Sequence, residues 1–126
     1  MIRVLIVDDS PDVAESISGL LALQGDIVTA GVLHRADGLL EHAASLDPDV
    51  ILLDLSMPGA DPLVTLRELS AKRPSSRVLV CSAYDDDSRR DMAREAGALG
   101  YVSKLDDVQA IVQAIRTVAR GQAYPD

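Results

Sequence analysis

The chain has one cysteine, no tryptophan and no phenylalanine, and three tyrosines are its only aromatic residues. A lone thiol excludes an internal disulfide, so Cys81 points to a reducing compartment, the cytoplasm. It lies in an apolar run, where a free thiol packs as a small hydrophobe. Without large aromatic rings, the core has to be aliphatic. No apolar stretch approaches the roughly 20 residues needed to span a bilayer. Met1-Ile2-Arg3-Val4 runs straight into a short apolar segment and lacks the pattern of a secretory leader. Positive charge is also short: 12 Lys and Arg face 20 Asp and Glu, a net charge of −8. Binding nucleic-acid phosphates takes clustered Lys and Arg, so direct nucleic-acid binding by these residues is not expected. Repeats, internal linkers and low-complexity tracts are absent.

What remains describes one globular domain: 126 residues, 48% apolar and 25% charged, enough to bury a single core. Apolar runs alternate with helical patterns. Ile2 to Val7 reads as a buried strand ending at Asp8-Asp9. Ser10-Pro11 then supplies a helix cap and a first-turn proline, Val13, Ile17, Leu20 and Leu21 share one face, and Gly25 stops the helix. The cycle repeats with a strand over 26–32, a helix from Arg35 to Ser45 and a strand Val50-Ile51-Leu52-Leu53 ending at Asp54. Next come a helix carrying Leu63, Leu66 and Leu69, which Pro62 can start, and a strand from Arg77 to Cys81 ending at Ser82. A charged helix from Asp87 to Ala96, closed by Gly97, precedes a short strand from Gly100 to Ser103 ending at Lys104. The last helix runs from Val108 to Ala119, with Asp106 and Gln109 spaced as a capping box and Gly121 as its stop. Strand–helix alternation at these intervals predicts a doubly wound parallel sheet of the flavodoxin-like kind, five strands in order 2-1-3-4-5 with five helices.

In such sheets ligands bind beyond the carboxyl ends of the strands, near the point where the strand order reverses. The residues there are Asp8, Asp9, Asp54, Ser82 and Lys104. Three gathered carboxylates repel one another unless a cation joins them. Oxygen-only donors with room for water favour a hard ion such as Mg²⁺, and the lack of His or Cys argues against zinc. A carboxylate can also attack a phosphoryl centre and become an aspartyl phosphate. That chemistry depends on positioning and charge neutralisation, which a metal ion, an ammonium and a hydroxyl provide.

Asp8-Asp9 after the first strand, Leu52-Leu53-Asp54-Leu55-Ser56-Met57-Pro58-Gly59, Ser82-Ala83 after the fourth strand and Gly100-Tyr101-Val102-Ser103-Lys104 together resemble the receiver domains of two-component response regulators. The resemblance extends through nearly the whole chain, in the family's order and spacing. It implies Asp54 as the phosphoacceptor, with Mg²⁺ held by Asp9 directly, by Asp8 mainly through water, by Asp54 and by the Ser56 carbonyl. Lys104 would bind the phosphoryl group, Ser82 would swing toward it, and Tyr101 would be the switch aromatic on the face of helix 4, strand 5 and helix 5. Ser56 and Tyr84 match positions that tune phosphoryl lifetime, and Tyr84 is expected to shield the phosphoryl group from water. The implied donor is a sensor histidine kinase or a small acyl phosphate, and the implied response is homodimerisation.

The sequence departs from the family where Pro often follows the site lysine: Leu105 stands here, which leaves the Lys104–Leu105 peptide geometry open, since a non-proline cis bond costs ~2.5–4 kcal/mol. Asp85-Asp86-Asp87 reads as an acidic helix cap rather than a second metal site. His34 and His42 are placed on the surface, away from the carboxylates. The receiver is expected over 1–121. Residues 122–126 are then a tail or the start of a linker, because 118–124 resemble the join to the DNA-binding domain of LuxR-type regulators. On that reading the chain is a regulator fragment whose DNA binding lies elsewhere; a stand-alone receiver is the alternative. Two other classes compete. A dehalogenase-like aspartyl phosphatase would carry its nucleophile in an Asp-x-Asp motif after the first strand and turn over phosphoesters steadily. A receiver-like binding module would no longer use phosphate.

Overall fold

The computed structural model describes residues 1–57, 61–83 and 87–125. Pro58, Gly59, Tyr84, Asp85 and Asp86, singled out above, lie outside the described residues. The elements are β1 (Ile2–Val7), α1 (Pro11–Ala22), β2 (Ile27–Leu33), α2 (Leu39–Leu46), β3 (Val50–Leu53), α3 (Pro62–Lys72), β4 (Arg77–Ser82), α4 (Asp87–Ala96), β5 (Gly100–Ser103) and α5 (Val108–Ala119). The strands pair in parallel in the order β2-β1-β3-β4-β5, the doubly wound arrangement expected from the strand–helix alternation. Among the described residues no helix is long and apolar enough to cross a membrane.

The central strands are apolar at consecutive positions because both faces of the sheet are covered. Val4, Ile6, Val50, Leu52, Leu79, Cys81 and Val102 pack with Ile17 and Leu21 of α1 and Ile111, Val112, Ile115 and Val118 of α5. The intervening residues Leu5, Val7, Ile51, Leu53, Val78, Val80 and Tyr101 pack with Leu39 of α2, Leu66 and Leu69 of α3, and Ala93 and Ala96 of α4. Removing each large aliphatic side chain from water stabilises the fold by about 1.5–3 kcal/mol, so the sheet is a stiff platform for whatever stands at its edge. Burial pushes the Cys81 thiol up to about 12, as befits a packed, unreactive group.

Local chemistry sets the helix starts. Ser10 caps α1, its hydroxyl accepting from the Val13 amide, with Pro11 in the first turn. Asp61 and Pro62 do the same for α3. One start and one cap differ from the sequence reading. α2 begins at Leu39 rather than Arg35, because Gly38 at φ 73° takes the left-handed turn that leads into it; Arg35 lies ahead of it, paired with Asp37 at 2.9 Å. α5 is capped by Asp107, whose carboxylate accepts from the Ala110 amide at 2.9 Å. Asp106 is unavailable as the cap because it accepts the Ser103 amide at 3.1 Å, closing the turn after β5.

Beyond α5 the chain reverses at Gly121, φ +81°, and returns along the free edge of β5. Tyr124 bridges Gly100 in parallel. The Tyr101 amide donates to the Tyr124 carbonyl at 2.9 Å, and the Tyr124 amide donates to the Leu99 carbonyl at 3.2 Å. Gly100 permits this approach: a Cβ there would meet Leu79 and Val118 at 2.8 Å and the Tyr124 carbonyl oxygen at 3.2 Å. The one cis peptide among the described residues is Tyr124–Pro125, so the Lys104–Leu105 bond is trans.

Candidate functional site

Two strand ends bring the acidic residues together, and a third supplies a lysine. β1 runs out at Val7 and β3 at Leu53, paired in register, so Asp8 and Asp54 emerge side by side; the Asp54 amide donates to the Val7 carbonyl at 2.9 Å. Asp8 is 3% and Asp54 2% exposed, whereas Asp9, one residue on, is exposed. One carboxylate oxygen from each of Asp8, Asp9 and Asp54 lies within 4.8 Å of the others. Lys104, just past β5, reaches across β4 and sets its ammonium 2.8 Å from Asp8 Oδ2 and 3.0 Å from Asp54 Oδ2.

Charged groups this deep need partners, and their partners are specific. Asp8 Oδ1 accepts the Ser10 amide at 2.9 Å, and Asp54 Oδ1 accepts the Ser56 amide at 2.9 Å. Each carboxylate therefore has one oxygen held by backbone and the other facing Lys104. Burial alone would pull the Lys104 ammonium down, but hydrogen bonds to Asp8 and Asp54 and their charges outweigh it and hold the group above its ordinary value. At neutral pH it stays charged.

The remaining residues named from the sequence fall around this centre. Ser82 is fully buried at the last position of β4, paired with Ser103 of β5. Ser56 is exposed on the loop after β3. Tyr101 is 5% exposed in the core beneath α4, with the Arg90 guanidinium 5.4 Å from its ring centre. Tyr84 is outside the described residues. The separation assumed for His34 does not hold: its exposed ring reaches back over the loops, Nδ1 lying 2.9 Å from the Asp8 carbonyl oxygen. Nothing in the sequence pattern marked that contact, because it joins the ends of adjacent strands β1 and β2 through a side chain of no helical or strand periodicity.

The donor set can do two things chemically. Three hard oxygen donors suit a divalent ion with retained water. A carboxylate held at the edge of a rigid sheet beside an ammonium can accept an electrophile whose negative charge the ammonium then neutralises.

Comparison with known proteins gives a consistent picture. The family model described as response regulator receiver domain matches residues 4–116. The response regulator GacA of Pseudomonas aeruginosa is 36% identical over 124 residues, covering 98% of this chain and 58% of that protein. The nitrate/nitrite response regulator NarL of Escherichia coli K12 is 34% identical over 119 residues, covering 94% and 55%. The crystal structure of a two-component response regulator of the LuxR family from Aurantimonas sp. SI85-9A1 superposes with a TM-score of 0.90 at 27% identity, covering 96% of this chain and 86% of that one. This chain spans about half the length of the curated relatives it matches.

Proposed function

The chain belongs to the response-regulator receiver domain family, and on that premise we propose that it is a phosphorylation-driven switch whose acceptor is Asp54. The observation that carries this reading is the placement of Asp54: buried at the end of β3, beside two further carboxylates, with Lys104 at 3.0 Å.

An Asp54 carboxylate oxygen attacks the phosphorus of a phosphohistidine on a sensor kinase, or of a small acyl phosphate. The new O–P bond forms as the P–N or P–O bond to the donor breaks, and the electron pair leaves with the imidazole or the carboxylate. Asp54 becomes an aspartyl phosphate. The carboxylates of Asp8, Asp9 and Asp54 and the Ser56 carbonyl are the groups that would hold Mg²⁺, which supplies charge neutralisation for the phosphoryl oxygens when bound. Oxygen donors within 4.8 Å of one another fit that ion.

Lys104 exchanges its contact with Asp54 for a phosphoryl oxygen and keeps Asp8 as its second partner. The Ser82 hydroxyl, at the end of β4, turns toward another phosphoryl oxygen. Space left by that movement lets Tyr101 change its packing under α4, which alters the surface of α4, β5 and α5 and favours a homodimer. Ser56 and Tyr84 tune how fast water removes the phosphoryl group. The module works in the cytoplasm as a signalling part rather than a turnover enzyme, its chemistry confined to its own phosphorylation and dephosphorylation. Transcription control would run through a DNA-binding domain of the LuxR type outside these residues.

Beryllofluoride, which mimics an aspartyl phosphate, provides the test. With Mg²⁺ present, a bound ¹⁹F resonance should appear with the wild-type chain and be absent with Asp54→Asn. Wild-type protein giving no bound signal at saturating Mg²⁺ would defeat the proposal.

A further inference from the structure

Asp8 has all its polar groups engaged. Its amide donates to the Leu33 carbonyl at 2.9 Å, its two carboxylate oxygens are taken by the Ser10 amide and Lys104, and its carbonyl oxygen lies 2.9 Å from His34 Nδ1. A carbonyl oxygen only accepts, so Nδ1 carries the proton and donates. No backbone amide among the described residues donates to that carbonyl, which stands one residue past the β1 ladder and three before the first residue of α1.

The held group has a particular reach. The Asp8 carbonyl and the Asp9 amide belong to one rigid peptide plane. Fixing that plane fixes ψ of Asp8 and φ of Asp9, and with them the directions in which both side chains leave the backbone. Asp8 has other anchors. Asp9 has none: it is exposed and makes no hydrogen bond or ion pair among the described residues. The orientation of Asp9 toward Asp8 and Asp54 therefore depends on the plane that His34 holds.

We propose that His34 is a positioning residue for the acidic pocket, clamping the Asp8–Asp9 peptide so that both carboxylates converge on a divalent cation. This rests on the reading of the pocket given above. Since the Leu33 carbonyl ends β2 and His34 follows it directly, the clamp ties the loop after β1 to the end of the neighbouring strand at two points, one for the amide and one for the carbonyl of Asp8.

The full chain is compared as wild type, His34→Ala and His34→Asn. The Asn side-chain amide nitrogen sits the same number of bonds from Cα as Nδ1 and can donate in its place. Two readouts separate positioning from bulk stability: the Mg²⁺ dissociation constant from amide-shift titration, and, in metal-free protein, hydrogen exchange at the Asp8 amide, which the Leu33 carbonyl protects at 2.9 Å. His34→Ala should weaken Mg²⁺ binding about fivefold, the worth of one net hydrogen bond, and speed Asp8 exchange. His34→Asn should restore both toward wild type. Unchanged affinity in His34→Ala, or no rescue by His34→Asn, would overturn the positioning role while leaving phosphorylation of Asp54 untouched. The expected pattern in a wild-type chain that takes no phosphoryl group would keep the clamp and remove the switch. Failure of wild-type protein to bind Mg²⁺ would remove both.

Discussion

Replacing Asp9 with Asn should make the metal-free protein more stable, although it removes a residue from the centre of the site. Asp9 contributes no hydrogen bond or ion pair among the described residues, yet one of its oxygens lies within 4.8 Å of oxygens on Asp8 and Asp54. Two like charges at that distance repel by ~0.9 kcal/mol in a water-like medium and ~3.5 kcal/mol at an effective dielectric of 20. Asp9 is exposed, so the lower figure applies. Two carboxylates repel it and the single Lys104 ammonium offsets roughly one of them, which leaves about 1 kcal/mol of strain that the substitution relieves. For a chain of this size that corresponds to a melting temperature about 3–5 °C higher. Far-UV circular dichroism melts at low salt, with and without Mg²⁺, measure it. Wild-type protein should gain stability from Mg²⁺ by mass action, Asp9→Asn should gain much less, and high salt should shrink the metal-free difference by screening. An Asp9→Asn protein that melts at or below the wild-type temperature, or gains as much from Mg²⁺, would refute the repulsive cluster.

Two further outcomes follow from packing. The Cys81 thiol titrates near 9.0 when exposed and at about 12 in the fold, so the unfolded chain loses its proton first as pH rises. The stability it contributes is complete below about pH 9 and falls toward pH 12 with a slope of up to about 1.4 kcal/mol per pH unit; urea melts of wild type against Cys81→Ala across that range check it, and native Cys81 should resist iodoacetamide at pH 8. Gly100→Ala places a Cβ 2.8 Å from Leu79 and Val118 and 3.2 Å from the Tyr124 carbonyl. It should cost about 1–3 kcal/mol by overpacking and speed hydrogen exchange at the Tyr101 amide, whose acceptor is that carbonyl; unchanged exchange would mean that the returning segment is not held there.

Much of this fold could be read directly. The strands are legible because their residues are apolar at successive positions, as sheets covered on both faces require, and Ser10, Pro11 and Pro62 mark helix starts by chemistry that acts within one turn. The convergence of Asp8, Asp9, Asp54 and Lys104 follows once strand order is known, since each stands one or two residues beyond the carboxyl end of a strand. Features that depend on competition among neighbours were not legible. Asp106 and Asp107 are equally good caps in sequence, and the choice fell to Asp107 because the turn after β5 takes the Asp106 carboxylate. Arg35 looked like a helix start until the positive φ of Gly38 moved it to Leu39. The contact of His34 with Asp8 and the pairing of Tyr124 with β5 join residues 26 and 24 positions apart, across turns whose geometry no periodic pattern encodes.

The most direct test of Asp54 as acceptor is intact mass after incubation with acetyl phosphate and Mg²⁺, run beside Asp54→Asn. One phosphoryl group gained by the wild type, lost on chelating Mg²⁺ beforehand and absent in Asp54→Asn, is the expected result. An adduct of the same size on Asp54→Asn, or none on wild-type protein that demonstrably binds Mg²⁺, would contradict it.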